Sequence, residues 1–186
     1  ITTLRFSHDP IALLSDELEV KSDVKFVDDA IGGTTNIEVL INTQKQGGLY
    51  NPEIMSKIEQ FVAEAKSYNT EKINIGKVIS VVDILKEVNR ALHNNDDAYY
   101  RIPETREAIS QCLLMFENSG SEDLEKVADN SLSIARITLR MPWVDAVALE
   151  EMLFLVDANT AKIFGKETDV VLSGSVSLLA RVVPAT

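Results

Sequence analysis

Apolar and polar side chains alternate in several segments of the chain, and this period of two indicates β-strands with one buried face. In the clearest segment, Ile37, Val39 and Ile41 alternate with residues that include Glu38 and Asn42. A later segment is rich in β-branched residues and stops at a proline. The predicted strands are residues 36–43, 73–79, 131–141 and 170–172.

Other segments carry apolar residues at the i, i+3, i+4, i+7 spacing of a helix that faces a core. Asn51 followed by Pro52 fits an N-cap and a first helical turn, and Ser80 with Asp83 fits a capping box. Pro103 is expected to open the third helix. The predicted helices are residues 52–68, 81–93, 103–119 and 144–164, with a helical turn at 124–127.

The predicted order is strand, helix, strand, two inserted helices, strand, helix, strand. Because the strands alternate, we expect a mainly antiparallel sheet with helices on one face, in an α+β fold with a ferredoxin-like βαβ-βαβ core. The 186 residues fit one domain. Its predicted divisions are an N-terminal extension (1–35) with a short alternation at Leu4 and Phe6, a first strand-helix-strand unit (36–80), a two-helix insertion (81–128), a second unit (129–175) and a C-terminal segment (176–186).

Composition and charge exclude some classes of function. The chain has 29 acidic and 18 basic residues and a net charge of -11, so it would repel a polyphosphate, and we expect no nucleic-acid partner. The longest apolar runs, 112–116 and 152–156, have five residues each, whereas a membrane span needs about 20. The chain begins at Ile1 without an initiator Met or a signal-type segment, so we expect a piece cut from a longer protein.

Residues that usually carry catalysis are scarce in this sequence. The motifs GxGxxG, GxxxxGK[ST], HExxH, CxxC and GxSxG do not occur, and there are two histidines and one cysteine. We interpret His93, Asp96 and Asp97 as a helix end and a solvated turn, not as a metal site. Cys112 lies on a predicted apolar stripe, so we interpret it as a core residue. We therefore predict no catalytic residue, no metal ligand and no cofactor.

Four residues are candidates for substrate binding. Tyr99, Tyr100 and Arg101 place two phenols and a guanidinium directly before a predicted helix, where they can line a groove for an amphiphile or a partner. Trp143 lies at the end of a predicted strand and is a similar case. The alternative for each is ordinary packing, with one tyrosine buried and the other exposed.

Several stretches of the chain resemble one family of membrane proteins. They are residues 26–36 (FVDDAIGGTTN) with the following strand IEVLI, residues 80–93 (SVVDILKEVNRALH) and residues 99–124 (YYRIPETREAISQCLLMFENSGSEDL). Together they resemble the extracytoplasmic loop of RND-superfamily exporters of the MMPL or hydrophobe/amphiphile-efflux type. The resemblance covers most of the chain and rests on packing and capping residues.

The resemblance implies a porter-like, non-catalytic domain at the periplasmic face of the bacterial inner membrane. Such a domain forms part of the path of a hydrophobic or amphiphilic, lipid-like molecule. Its expected partners are the membrane helices and the second loop domain of the transporter and, in a homo-oligomer, another copy of the chain. Residues 176–186 would lead towards a membrane helix. The family's ionisable coupling residues lie within membrane helices, and no position here corresponds to them.

Two other functions stay open. An independent soluble periplasmic binding or adaptor protein would use the same αβ scaffold with a closed interface. A small hydrolase such as an acylphosphatase-like enzyme would need an anion-cradling loop with a positioned arginine. Arg136 and Arg140 lie on a predicted strand without an adjacent glycine-rich turn, so the hydrolase fits the sequence least.

Overall fold

The computed structural model describes residues 15, 18–70, 73–120, 122–143, 146–165, 168–174 and 177. The alternation predicted at Leu4 and Phe6, and all of the predicted C-terminal segment except Ser177, lie outside these ranges. Within them the chain forms α1 (Glu19–Ile31), β1 (Thr35–Asn42), α2 (Pro52–Ala65), β2 (Lys77–Ile79), α3 (Val81–Leu92), α4 (Arg106–Asn118), β3 (Ile134–Met141), α5 (Ala146–Phe164) and β4 (Asp169–Ser173). Short 3-10 helices lie at Gly48–Tyr50, Asp97–Tyr99 and Leu124–Lys126.

The four strands form one antiparallel sheet in the order β2-β3-β1-β4. β1 and β3 pair over their full lengths, from Thr35 opposite Met141 to Asn42 opposite Ile134. β4 pairs with the other side of β1, and the three-residue β2 pairs with the other side of β3. The predicted α+β fold with a mainly antiparallel sheet is therefore confirmed.

One face of the sheet is buried, because every second residue of β1 and β3 faces a common core. α2 and α5 pack against each other, with the ring centroids of Phe61 and Phe164 6.2 Å apart. Asn159 Nδ2 on α5 donates a hydrogen bond of 2.6 Å to the Tyr68 hydroxyl, and burial raises the pKa of Tyr68 to about 12. The buried residues of the two strands are Thr35, Ile37, Val39, Ile41, Ala135, Ile137, Leu139 and Met141.

The insertion between β2 and β3 contains α3 and α4, which pack against each other. The capping box predicted at the start of α3 is confirmed, with the Ser80 amide donating to the Asp83 carboxylate at 2.9 Å. The predicted helix start at Pro103 is wrong. Thr105 is the N-cap of α4, because its hydroxyl accepts a hydrogen bond of 3.2 Å from the Ala108 amide.

Several predicted bounds are also corrected. β3 begins at Ile134 and not at residue 131, because the Asp129 carboxylate holds the preceding residues in a turn. β2 begins at Lys77 and not at residue 73, since Asn74 forms only an isolated bridge to Asn69. α2 ends at Ala65, three residues before the predicted end, and the remaining strand bounds move by one residue.

α1 lies within the predicted N-terminal extension (1–35), where the sequence does not predict a helix. Val20, Val27 and Ile31 follow one side of this helix, but charged residues interrupt the apolar spacing. The N-cap residue makes no side-chain hydrogen bond, so the usual start signal is missing. Val20 is 56% exposed and Phe26 is 73% exposed, so much of the apolar surface of α1 faces outward.

Glycines allow the connection from α1 to β1 to pass very close to the end of β3 and to the residue before β2. Gly33 has a φ of +119°, and a Cβ at this position would lie 2.2 Å from the carbonyl carbon and oxygen of Met141. A Cβ on Gly76 would lie 2.3 Å from the carbonyl oxygen of Gly32. Only glycine permits this close approach, which places Ile31 beside the sheet.

Candidate functional site

Tyr99, Tyr100 and Arg101 lie in and directly after the 3-10 helix between α3 and α4. Asn89 of α3 fixes their backbone: its buried Nδ2 atom donates to the carbonyl oxygens of Tyr99 at 2.9 Å and Arg101 at 3.0 Å. Asn89 is not among the site residues predicted from the sequence. The available signal was a polar residue on the apolar stripe of a predicted helix, which marks a buried side chain that needs partners.

The rings of this segment lie against cations and a histidine. His93 stacks on Tyr99, with ring centroids 3.7 Å apart and planes 5° from parallel. Around Tyr100, the Arg90 guanidinium lies 5.3 Å and the Lys86 ammonium 5.7 Å from the ring centroid, which is within cation–π range. Hydrogen bonding by Asp97 and the nearby charge of Glu87 raise the pKa of Arg90. Tyr100 is 43% exposed.

Trp143, the fourth predicted site residue, lies directly beyond β3 and is half-buried. Its indole Nε1 is buried, and no described residue forms a hydrogen bond with it. No ring or polar contact joins Trp143 to Tyr99, Tyr100 or Arg101 in the described part of the chain. The structure therefore gathers three of the four candidates and leaves the tryptophan apart from them.

A second group of side chains lies on the face of the sheet opposite the buried one, which we call the outer sheet face. Its residues are exposed or half-buried. Strand register arranges them in rows, because residues directly opposite on antiparallel strands point the same way. The rows are Lys77, Arg140 and Asn36; Ile79, Thr138, Glu38 and Ser173; Arg136, Leu40 and Val171; and Ile134, Asn42 and Asp169.

An open cavity of about 460 Å³ lies on the outer sheet face. Its floor is formed by β1 and β3, and its rim includes Ile31 at the end of α1, Ile79 of β2 and Lys126 of the Leu124–Lys126 turn. The lining is mixed, since aliphatic side chains stand beside Arg136 and Arg140. Most of the lining is polar or charged, and Ile31 and Ile79 supply its aliphatic surface.

The charges in this cavity are mainly positive, although the whole chain carries a net charge of -11. Lys126, Arg136 and Arg140 line it together with one carboxylate, Glu38, although the Lys126 ammonium also pairs with the Asp123 carboxylate at 2.6 Å. The carboxylate of Glu38 accepts a hydrogen bond of 2.8 Å from the Thr138 hydroxyl and a second one from the side-chain amide of Asn36. Among the described residues, neither arginine forms an ion pair.

A second open cavity, of about 430 Å³, lies where the chain turns from β1 into α2. It brings Arg106 of α4 beside Gly47 and Gly48. An arginine beside a glycine-rich turn is what the hydrolase alternative requires, and the sequence did not predict this pairing. The amides of both glycines already donate to backbone carbonyls, and the guanidinium lies 5.3 Å from the centre of the Tyr50 ring. The turn is thus closed by its own hydrogen bonds and does not present those amides to an anion.

The other interpreted residues have local roles. His93 is the C-cap of α3, Asp96 accepts from the Ala98 amide at 2.9 Å, and Asp97 pairs with an arginine. Cys112 is buried, as predicted, and burial raises the pKa of its thiol. Within the described ranges, no cluster of three His, Cys, Asp or Glu side chains is arranged to hold a metal ion. None of the helices found there has the length and apolar character of a membrane span.

No protein-family model matches the chain, and no curated protein matches it significantly. A function must therefore be inferred from the geometry of the outer sheet face and of the segment from Tyr99 to Arg101.

Proposed function

We propose that this chain is a porter-like, extracytoplasmic domain of an RND-type exporter, of the MMPL or hydrophobe/amphiphile-efflux type. It guides hydrophobic or amphiphilic molecules at the periplasmic face of the bacterial inner membrane and catalyses no reaction. Its partners are the membrane helices and the second loop domain of the transporter. The observation that carries this proposal is the cavity of the outer sheet face, where aliphatic and charged side chains line one open space of about 460 Å³.

The strand order supports a porter-type core. The units β1-α2-β2 and β3-α5-β4 interleave in the antiparallel order β2-β3-β1-β4. A ferredoxin-like fold is built from split strand-helix-strand units of this kind. With α3 and α4 inserted between the units, one sheet face is buried, whereas the outer sheet face is exposed or half-buried among the described residues and can meet a ligand or a counterpart domain.

The composition of the cavity suits an amphiphile better than a purely polar ligand. Ile31 and Ile79 offer apolar surface, and burying the apolar part of a ligand against it stabilises the complex by about 25 cal/mol per Å² removed from water. Thr138 and the two arginines can orient a polar head. The volume lies within the range of roughly 300–1,000 Å³ found for small-molecule sites.

Tyr99, Tyr100, Arg101 and Trp143 remain proposed substrate contacts outside this cavity. Tyr100 is the best placed of them, because its ring is exposed and the backbone on either side of it is fixed by a buried amide. A fixed aromatic ring with cations beside it can contact either a passing amphiphile or the counterpart domain.

The proposal is tested with the neutral apolar fluorophore N-phenyl-1-naphthylamine. We expect a saturable rise in fluorescence with the wild-type protein and a weaker affinity for Ile31→Gln, which removes apolar surface from the rim. Leu114→Gln is the matched control, since Leu114 is also exposed but lies on α4, away from the cavity. Absence of saturable binding, or equal loss in both variants, would contradict a hydrophobic site on the outer sheet face.

An independent binding or adaptor protein is the second candidate, and the exposed apolar side of α1 favours it, since such surfaces mark protein–protein contacts. The full open reading frame separates the two functions. Apolar spans of about 20 residues on both sides of this segment support the exporter. Start and stop codons adjoining the segment would support the adaptor.

A further inference from the structure

On the outer sheet face, two positively charged side chains lie directly opposite each other on neighbouring strands. Lys77 of β2 and Arg140 of β3 are register partners in an antiparallel pair, so their side chains leave the sheet on the same face. Like charges in this position destabilise a sheet. Neither residue forms an ion pair in the described part of the chain, although acidic residues outnumber basic ones by 29 to 18. These two positive charges can therefore attract an external anion.

A third cation extends this site along β3. Arg136 and Arg140 are four residues apart, hence on the same face, and both line the cavity on either side of Thr138. Guanidinium groups form two parallel hydrogen bonds with carboxylates and phosphates, whereas a neutral head group offers no such partner. The carboxylate of Glu38 lies between the arginines but has its own hydrogen-bond donors.

We propose that the outer sheet face binds free, single-chain amphiphiles with an anionic head group. Arg136 and Arg140 hold the head, with Lys77 adding positive charge, and the alkyl chain lies against Ile79 and Ile31 at the rim. This inference rests on the proposed function and adds the charge of the cargo to it. The acidic side chain of Asp169 is on the same face but in the last row, beyond Leu40 and Val171, so it leaves the head-group site positive.

Isothermal titration calorimetry with three 12-carbon amphiphiles below their micelle concentrations tests the charge preference. The probes are the anion dodecanoate, the neutral detergent dodecyl maltoside and the cation dodecyltrimethylammonium. Loss of one charge-assisted hydrogen bond lowers the affinity roughly tenfold or more. We therefore expect dodecanoate to bind wild-type protein at least about tenfold more tightly than the other two.

Variants assign this preference to the named residues. The double variant R136Q/R140Q should lose the preference for dodecanoate, and R136K/R140K should retain part of it because the charge stays. Glu38→Gln should tighten dodecanoate binding, since it removes the carboxylate from the cavity lining. The matched control K66Q/K162Q removes two positive charges from the ends of α2 and α5, on the helical side of the molecule, and should leave all three affinities unchanged.

Each contrary outcome has a distinct meaning. Equal affinities for the three probes, no binding of dodecanoate, or a preference that survives in R136Q/R140Q would overturn the anionic-head inference. If N-phenyl-1-naphthylamine still binds at Ile31 in that case, the proposed function stands and only the inference fails. Arginine-dependent binding to phosphatidylglycerol vesicles without binding of free dodecanoate would also overturn it, in favour of a membrane surface.

Discussion

Replacing Asp129 with asparagine is expected to destabilise the turn that starts β3. The carboxylate accepts backbone hydrogen bonds from Ser133 at 2.7 Å and Ile134 at 2.6 Å, and hydroxyl hydrogen bonds from Ser131 and Ser133. Asparagine keeps the shape of the side chain, but it offers one acceptor oxygen and no charge. The substitution therefore removes part of the network while leaving the packing intact.

The pKa of Asp129 sets the size of the effect. Burial opposes ionisation of the carboxyl, but hydrogen bonds from Ser131, Ile134 and Ser133 outweigh it and lower the pKa from 3.8 to about 2. This difference corresponds to about 2 kcal/mol of stability at neutral pH. Because the folded pKa is the lower one, the contribution is complete above the unfolded value and disappears as the pH falls towards 2. It should be about 1 kcal/mol at pH 3.

Urea unfolding of wild-type protein and Asp129→Asn at pH 7 and pH 3 measures both values. The gap between their free energies of unfolding should be about 2 kcal/mol at pH 7 and should narrow at pH 3. Asp157→Asn is the control, because Asp157 is an exposed carboxylate on α5 without a side-chain partner among the described residues. Equal stabilities at pH 7, or a gap of constant size, would refute this account of the turn.

Three further predictions concern the backbone and the core. Gly33→Ala should lower the free energy of unfolding by about 1–3 kcal/mol, because the new Cβ meets the Met141 carbonyl at a strained φ. Gly120→Ala, where the new Cβ meets open space, should lower it less, and thermal unfolding compares the two variants. Asn89→Ala leaves two backbone carbonyls without their donor and should cost about 1–3 kcal/mol in urea unfolding, without a change in dodecanoate binding. The thiol of Cys112 should react with Ellman's reagent only after unfolding, because it is buried and its pKa is raised; rapid reaction of the native protein would contradict its place in the core.

Features encoded by neighbouring residues were predictable from the sequence. The capping box of Ser80 and Asp83 and the N-cap at Asn51 use residues three or fewer positions apart, and both are present. Alternation around Val39 predicted a strand because its pattern needs no knowledge of partners. The predicted helix start at Pro103 is wrong because a second local signal lies nearby. Thr105, two residues later, caps the helix with its side chain.

The candidate site was less predictable, because it depends on pairing between distant residues. Tyr99 and Arg101 are neighbours in sequence and could be singled out. Lys77 meets Arg140 only through the strand order and register, which a single sequence does not specify. The proximity of Arg106 to Gly47 likewise depends on how α4 docks beside the β1–α2 connection.

The interleaved strand order also affects how the protein is made. Each ladder of the sheet joins the first strand-helix-strand unit to the second, so β1 and β2 do not pair with each other. A growing polypeptide that has not yet reached Ile134 contains both strands and their helices but no partner for either strand. Pairing β1 with β3 closes a long loop of chain, which is entropically unfavourable and slow. The sheet should therefore begin to assemble only after β3 has left the ribosome.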